Sequence, residues 1–357
     1  MELREDLRDL KPYAPGKLVP GVLKLASNEN PLGASPLGVA ALKNAADSVY
    51  LYPDGAAVAL REALSAELGV SANQILLGNG SDEVLTLIAG AYLRPGDKAI
   101  TGDVTFSEYH FAVRLFGGSV QFVPLKDGAF DLTAIGAAVD AKTKIVFVCN
   151  PNNPTGGYFS AQALEGLLKK VSPSVLVVLD EAYAHYVEAT DYPDSMRLLN
   201  KYPNLLVLRT FSKIYGLAAL RVGYAVASSQ VVEHLSVVRQ PFNVGTLGQV
   251  AAKAALADKA FVEKSRLVNR EGVKFWTKAF QDLKLFFFPT QANFIAVKVD
   301  RDAQAVFNAM LEAGVTIRPM TSFGLKDWIR ITIGTGEQNA LCLKALTHAL
   351  DTVPLIR

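Results

Sequence analysis

Asp180 closes a run in which five of the six preceding residues are apolar, so its carboxylate falls at the end of a buried strand. An unpaired charge there would be costly, and Asp180 therefore calls for a cationic partner, whether a ligand group or a structural salt bridge. Lys213 lies three residues past a second apolar run, LLVLRT at 205–210, and Arg221 stands at the start of the next. An amine so placed can act as a nucleophile or as an acid and base, while a solvated lysine is the ordinary alternative. At 78–83 the text GNGSDE follows QILL, with glycines that allow a tight turn and Ser81 able to cap the next helix. Free N–H groups at a helix start form an anion site, most simply for phosphate; a plain glycine turn with an ordinary cap fits the same letters. A dinucleotide fingerprint is not read here, because the third glycine is missing and the strand is not the first.

These residues need a frame that gathers strand ends. From about Gly55 to Ala227 apolar runs at 74–77, 98–101, 119–123, 144–148, 174–179, 205–210 and 221–227 alternate with segments of helical spacing such as VALREALSAELG. That alternation demands crossovers and predicts an α/β fold with a mostly parallel sheet, its strands covered on both faces by helices. After Gln249 a long helical stretch precedes LFFFP, ANFIAVKV, GVTIRPM and WIRITIG, which predicts a smaller α+β unit. The expected division is an N-terminal segment (1–45) joining the small unit, a large domain (46–250) and a C-terminal small domain (251–357). Four of the runs end in GNGSDE, CNPNNPTG, DEAY and FSKIYGLAALR, and ligands of open α/β sheets bind at the carboxyl ends of strands.

Composition narrows the function classes. Of 357 residues, 50% are hydrophobic and 20% charged, which excludes a disordered or fibrous chain. A net charge of +2 without a polybasic run speaks against nucleic acid as the main partner. The two cysteines, Cys149 and Cys342, are too few for a disulfide framework, and His110, His185, His234 and His348 show no metal-ligand spacing. MELREDLRDL reads as no secretory signal and no apolar run could span a bilayer, so the expected location is cytoplasmic.

One ligand answers the strand-end groups together: a phosphate for the helix start, Ser212 and Arg221, a protonated ring nitrogen for Asp180, and an aldehyde for Lys213. That ligand is pyridoxal 5'-phosphate. KPYAPGK at 11–17, KLASNENPLGASP at 24–36, YPDG at 52–55, GNGSDE, NPNNPTG, DEAY and TFSKIYGLAALRVGY occur in this order. Over nearly its whole length the chain thereby resembles the fold-type I pyridoxal-phosphate aminotransferases of class II, the histidinol-phosphate aminotransferases in particular.

The resemblance implies roles. Lys213 would hold the cofactor through its amine and move the proton at the substrate Cα; Asp180 would keep the ring nitrogen protonated. Tyr183 and Asn153 would bond the phenolic oxygen, and Tyr109 would stack on the ring. Ser81, Asp82 and Glu83, with Ser212 and Arg221, would take the phosphate, helped by Tyr52 from a neighbouring subunit, which implies a homodimer. Arg330 would receive the substrate carboxylate or phosphate, with Arg318, Tyr13 and Asn28 nearby; no metal is implied. The implied reaction moves the amino group of L-glutamate to imidazole acetol phosphate, giving L-histidinol phosphate and 2-oxoglutarate in histidine biosynthesis. An aromatic-amino-acid aminotransferase or a threonine-phosphate decarboxylase shares the cofactor residues, and a non-catalytic binding protein of this fold would not need Lys213. The sequence departs from the usual pattern at Ala219, where the family often has glycine, and in NVGTLGQ at 243–249, expected close to a substrate-facing loop.

Overall fold

The apolar runs become strands in a computed structural model that describes residues 2–8, 10 and 19–356. In chain order the elements are β1 (Leu23–Lys24), α1 (Pro36–Ala45), α2 (Val58–Leu68), β2 (Ile75–Asn79), α3 (Ser81–Tyr92), β3 (Lys98–Gly102), α4 (Glu108–Leu115) and β4 (Ser119–Val123). Then follow α5 (Leu132–Ala138), β5 (Thr143–Cys149), α6 (Ala161–Lys170), β6 (Leu176–Asp180), α7 (Ser195–Leu199), β7 (Leu205–Thr210), β8 (Val222–Val226) and α8 (Ser229–Val238). The C-terminal part holds α9 (Thr246–Leu256), α10 (Lys259–Asp282), β9 (Phe294–Lys298), α11 (Ala303–Glu312), β10 (Val315–Thr316), β11 (Arg318–Pro319), β12 (Trp328–Thr332) and α12 (Gly336–Thr352).

Seven strands form one sheet in the order β2-β8-β7-β6-β5-β3-β4. Only β8 runs against its neighbours; β7, β6, β5, β3 and β4 pair in parallel, register Val178↔Leu206 and Phe147↔Val178 among them. The fold is therefore the expected α/β type with a mostly parallel sheet, its central strands buried except at the half-buried Lys144 and Arg209. At the edge, β4 departs from the doubly covered expectation: Ser119, Gln121 and Phe122 are exposed, with His110 of α4 edge-on to Phe122 at 5.6 Å. The sheet and its helices share one core that includes Leu85, Phe147, Leu208 and Tyr224.

A second core around Trp276, Phe280, Ile295, Ile329 and Leu346 sits in an antiparallel sheet β11-β12-β9 packed with α10, α11 and α12. Of LFFFP only Phe287 makes a bridge, to Val297, so that run is an edge segment rather than a strand. The N-terminal segment divides its contacts. β1 pairs in parallel with β10, while α1 lies against α9. Ser35 caps α1 and donates at 2.6 Å to Asp258, whose other carboxylate oxygen caps α10.

Candidate active site

Because β8 is reversed, its first residues lie at the same sheet edge as the carboxyl ends of β2, β5, β6 and β7. A cavity of ≈ 840 Å³ opens there, lined by Asn28, Ser81, Asp82, Asn153, Asp180, Tyr183, Ser212, Lys213, Arg221, Arg318 and Arg330. These expected residues, spread over 300 positions of chain, meet in one place.

Asp180, the last residue of β6, accepts from the Ala182 N–H at 3.0 Å and from the Tyr109 hydroxyl at 2.6 Å. Burial pushes its carboxyl up to about 6, against the pull of those two donors. The Lys213 amine donates to the Ser27 carbonyl at 3.3 Å and lies 5.6 Å from the centre of the Tyr183 ring. Burial, then the charge of Arg330, lowers its pKa to about 8, so a good share of the amine is neutral in mildly alkaline solution. The Tyr183 hydroxyl accepts from the Asn28 amide at 2.9 Å, and burial raises its pKa. Arg330 spans the cavity wall: one nitrogen donates to Asn153 Oδ1, another to the Ala26 carbonyl at 2.9 Å, and its guanidinium lies over Phe294 at 5.1 Å.

The anion end is built from backbone. No side chain caps α3, so its first N–H groups remain for an outside acceptor. Gly80 at φ 82° is the cap, which corrects the expectation that Ser81 fills that position; Ser81 is the first helical residue. Space around this turn is closed: a Cβ on Gly80 would come within 2.4 Å of Arg221 Nη2, and one on Gly223 within 2.3 Å of the Ser81 nitrogen. Arg221, in the left-handed region at φ 52°, donates to Asp82 at 2.9 Å, to the Ala218 carbonyl at 3.2 Å and to Ser212 Oγ at 3.5 Å.

Two expectations change. Tyr109 does not line the cavity: it is 1% exposed, its ring is stacked on Phe147 at 5.1 Å, and its hydroxyl reaches Asp180 from behind. Phe106, three residues earlier in the same TFSEYH text, lines the cavity instead. Glu83 turns away, its carboxylate accepting from the Asn79 N–H at 2.5 Å and the Asn243 amide at 2.6 Å. NVGTLGQ does not line the cavity either; Asn243 holds Glu83 and Gln249 bonds the Asp54 carbonyl. Tyr52, 83% exposed and stacked on Phe242 at 4.9 Å, lies outside this chain's own cavity. Tyr13 falls outside the described residues. Sequence reasoning missed Ser27, Phe106, Glu108, Thr210, Ser322 and Phe323 in the lining, of which Thr210 and Phe106 carried a signal as neighbours of motif residues. Among the described residues no group of three acidic, histidine or cysteine side chains could hold a metal ion, and no helix is long and apolar enough to cross a membrane.

The family model for aminotransferase class I and II matches residues 20–346. The chain belongs to that family. Among related proteins, this aminotransferase is 50% identical to a histidinol-phosphate aminotransferase of Moorella thermoacetica, with 97% of this chain and 92% of that one covered. It is 46% identical to one of Brevibacillus brevis, covering 97% and 98%. Among solved structures, the histidinol-phosphate aminotransferase of Sinorhizobium meliloti in complex with pyridoxal-5'-phosphate superposes with a TM-score of 0.86 at 28% identity, covering 92% of this chain and 91% of that one.

Proposed function

We propose that this aminotransferase moves the amino group of L-glutamate to imidazole acetol phosphate, giving L-histidinol phosphate and 2-oxoglutarate in histidine biosynthesis, with pyridoxal 5'-phosphate as its cofactor. The observation that carries the reading is the meeting of a half-buried lysine of lowered pKa, a buried carboxylate and an uncapped helix start in one cavity. The relatives that bear this name are alike over nearly the whole chain.

The residues fit the cofactor. The uncapped start of α3 with Ser212 and Arg221 would hold its phosphate, Asp180 its ring nitrogen, Lys213 its aldehyde, Tyr183 and Asn153 its phenolic oxygen, and Phe106 one ring face. When bound, pyridoxal phosphate supplies a carbonyl that condenses with amines and a ring that accepts the electron pair released at the substrate Cα. Lys213, neutral in part near pH 8, is the base that takes the Cα proton and the acid that returns it one carbon away. Asp180 holds a proton on the ring nitrogen, and its buried setting strengthens that pairing because little water competes. Arg330 orients either substrate, since a planar guanidinium suits the carboxylate of glutamate and a phosphate alike, with Arg318 as its neighbour in the wall. Asn28 keeps the Tyr183 hydroxyl aimed into the cavity.

The same reading makes the enzyme a cytoplasmic homodimer in which Tyr52 reaches the cofactor phosphate of the partner. Its support is the exposed run Val49, Tyr50, Leu51 and Tyr52 beside Phe242, an apolar surface of the kind that a second copy covers. It also divides the chain into 1–45, 46–250 and 251–357; two hydrophobic cores support a division into a large and a small unit, with Ala251, Ala252, Ala255 and Leu256 of α9 packed in the large one.

The test is the visible spectrum of the protein loaded with pyridoxal phosphate, before and after L-histidinol phosphate is added without a keto acid. The band of the bound cofactor should convert to that of the amine form with L-histidinol phosphate, and far less with phenylalanine or threonine phosphate. Lys213→Ala should neither form the starting band nor turn over. Conversion by phenylalanine alone would move the function to an aromatic-amino-acid aminotransferase.

A further inference from the structure

The two oxygens of the Asp180 carboxylate are held by different donors. Oδ1 takes the Ala182 N–H at 3.0 Å, and Oδ2 takes the Tyr109 hydroxyl at 2.6 Å. Such a distance belongs to the short, charge-assisted class of O–H···O⁻ bonds. Tyr109 has little freedom to leave: its ring lies nearly parallel to that of Phe147, at 6° and 5.1 Å, and edge-on to Phe106 at 5.7 Å. Phe106 in turn belongs to the cavity wall. The phenol thus stands behind the carboxylate, on the side away from the cavity, and Asp180 faces the cavity with what remains of its accepting capacity.

We propose that Tyr109 is a positioning residue which, through its hydroxyl and not its ring, holds the Asp180 carboxylate charged and aimed at the ring nitrogen of pyridoxal phosphate. This rests on the cofactor reading above. A proton shared between a ring nitrogen and a buried carboxylate has two places to sit. A donor bonded to the carboxylate stabilises the anion and leaves the proton on nitrogen. Without the hydroxyl the Asp180 carboxylate would be more basic and would share more of that proton, so a bound ring would carry less positive charge and would supply a weaker electron sink. Burial works in the same direction as losing the hydroxyl, which is why a second donor matters at this carboxylate and would matter little at an exposed one.

The deciding variant is Tyr109→Phe, which keeps the ring and its packing. The holoenzyme is reconstituted with pyridoxal phosphate labelled with ¹⁵N in the ring, and the nitrogen resonance, kcat and KM are measured. The expected result is a resonance displaced toward that of neutral pyridine and a kcat lower by about 10- to 100-fold, the scale of one hydrogen bond to a charged group, with KM nearly unchanged. A fluorinated tyrosine at 109, a stronger donor, should displace the resonance the other way, toward that of the fully protonated ring, and decides the question by itself if Tyr109→Phe folds poorly. A merely packed ring would leave the resonance unmoved in both variants. A Tyr109→Phe enzyme with the unmodified resonance and turnover overturns the proposal while the cofactor reading stands; failure of the unmodified chain to take up pyridoxal phosphate overturns both.

Discussion

Replacing Arg221 with Gln, and separately Asp82 with Asn, asks which anion the guanidinium at the start of α3 serves. The two side chains are joined at 2.9 Å, but they are 42% and 45% exposed. Pairs of that kind are worth about 0–1 kcal/mol, so Asp82→Asn should shift the dissociation constant of pyridoxal phosphate by no more than about 5-fold. A phosphate dianion seated on the uncapped first turn would instead draw a charge-assisted bond worth about 1.5–3 kcal/mol from Arg221, and it outcompetes Asp82. Arg221→Gln should therefore weaken cofactor binding by about 10- to 150-fold. The backbone confounds little, because glutamine and arginine carry the same Cβ into the left-handed φ of 52° at this position. The assay is an equilibrium titration followed by cofactor absorbance, run in parallel with pyridoxal, which lacks the phosphate. With pyridoxal the difference between Arg221→Gln and the unmodified protein should vanish. An equal loss on both ligands would refute the assignment of Arg221 to phosphate.

Gly223→Ala would drive a Cβ to within 2.3 Å of the Ser81 nitrogen and 2.5 Å of the Gly80 carbonyl carbon. The backbone of the anion turn must shift, and the expected cost is about 1–3 kcal/mol, read as a lower Tm together with weaker cofactor binding. The pH dependence of the cofactor-free chain follows from the buried Asp180 and the half-buried Lys213. Asp180, raised to about 6 from 3.8, binds more protons folded than unfolded between those values, so stability falls as pH rises through that window. Lys213, lowered to about 8 from 10.5, binds fewer protons folded than unfolded, so stability rises with pH between them. Urea unfolding across a pH series should show both slopes, and Asp180→Asn and Lys213→Met should each flatten one. Mixing Lys213→Ala with Tyr52→Ala subunits tests the shared site: if Tyr52 acts across the interface, each hybrid dimer regains one intact site and roughly half the activity of the unmodified dimer. No recovery on mixing would place Tyr52 in its own subunit's site or outside it.

Much of the site is legible in the chain because polar residues interrupt apolar runs where a buried strand has no use for them. Asp180, Asn153, Lys213 and Ser81 each follow such a run, and the rule that strand ends face the ligand is enough to bring them together. Arg221 is different in kind. It precedes its strand, and only the reversed direction of β8, decided by which strands pair across the whole sheet, delivers it to the same edge.

TFSEYH shows where local reading stops. Phe106 and Tyr109 lie three residues apart at the start of α4, and either could face a ligand. The choice is made by Phe147 on β5, which offers Tyr109 a stacking partner, and by the buried Asp180 oxygen, which needs a donor. Glu83 was drawn in the same way to Asn243, 160 residues away. Residue type and spacing along the sequence determined the fold class, the chemistry and most of the side chains that perform it, since periodicity and strand-end polarity are local properties of the chain. Which of two aromatics three residues apart faces the cavity, and which carboxylate turns from it, only the tertiary structure decided, because that choice depends on packing and hydrogen-bond partners contributed by distant segments.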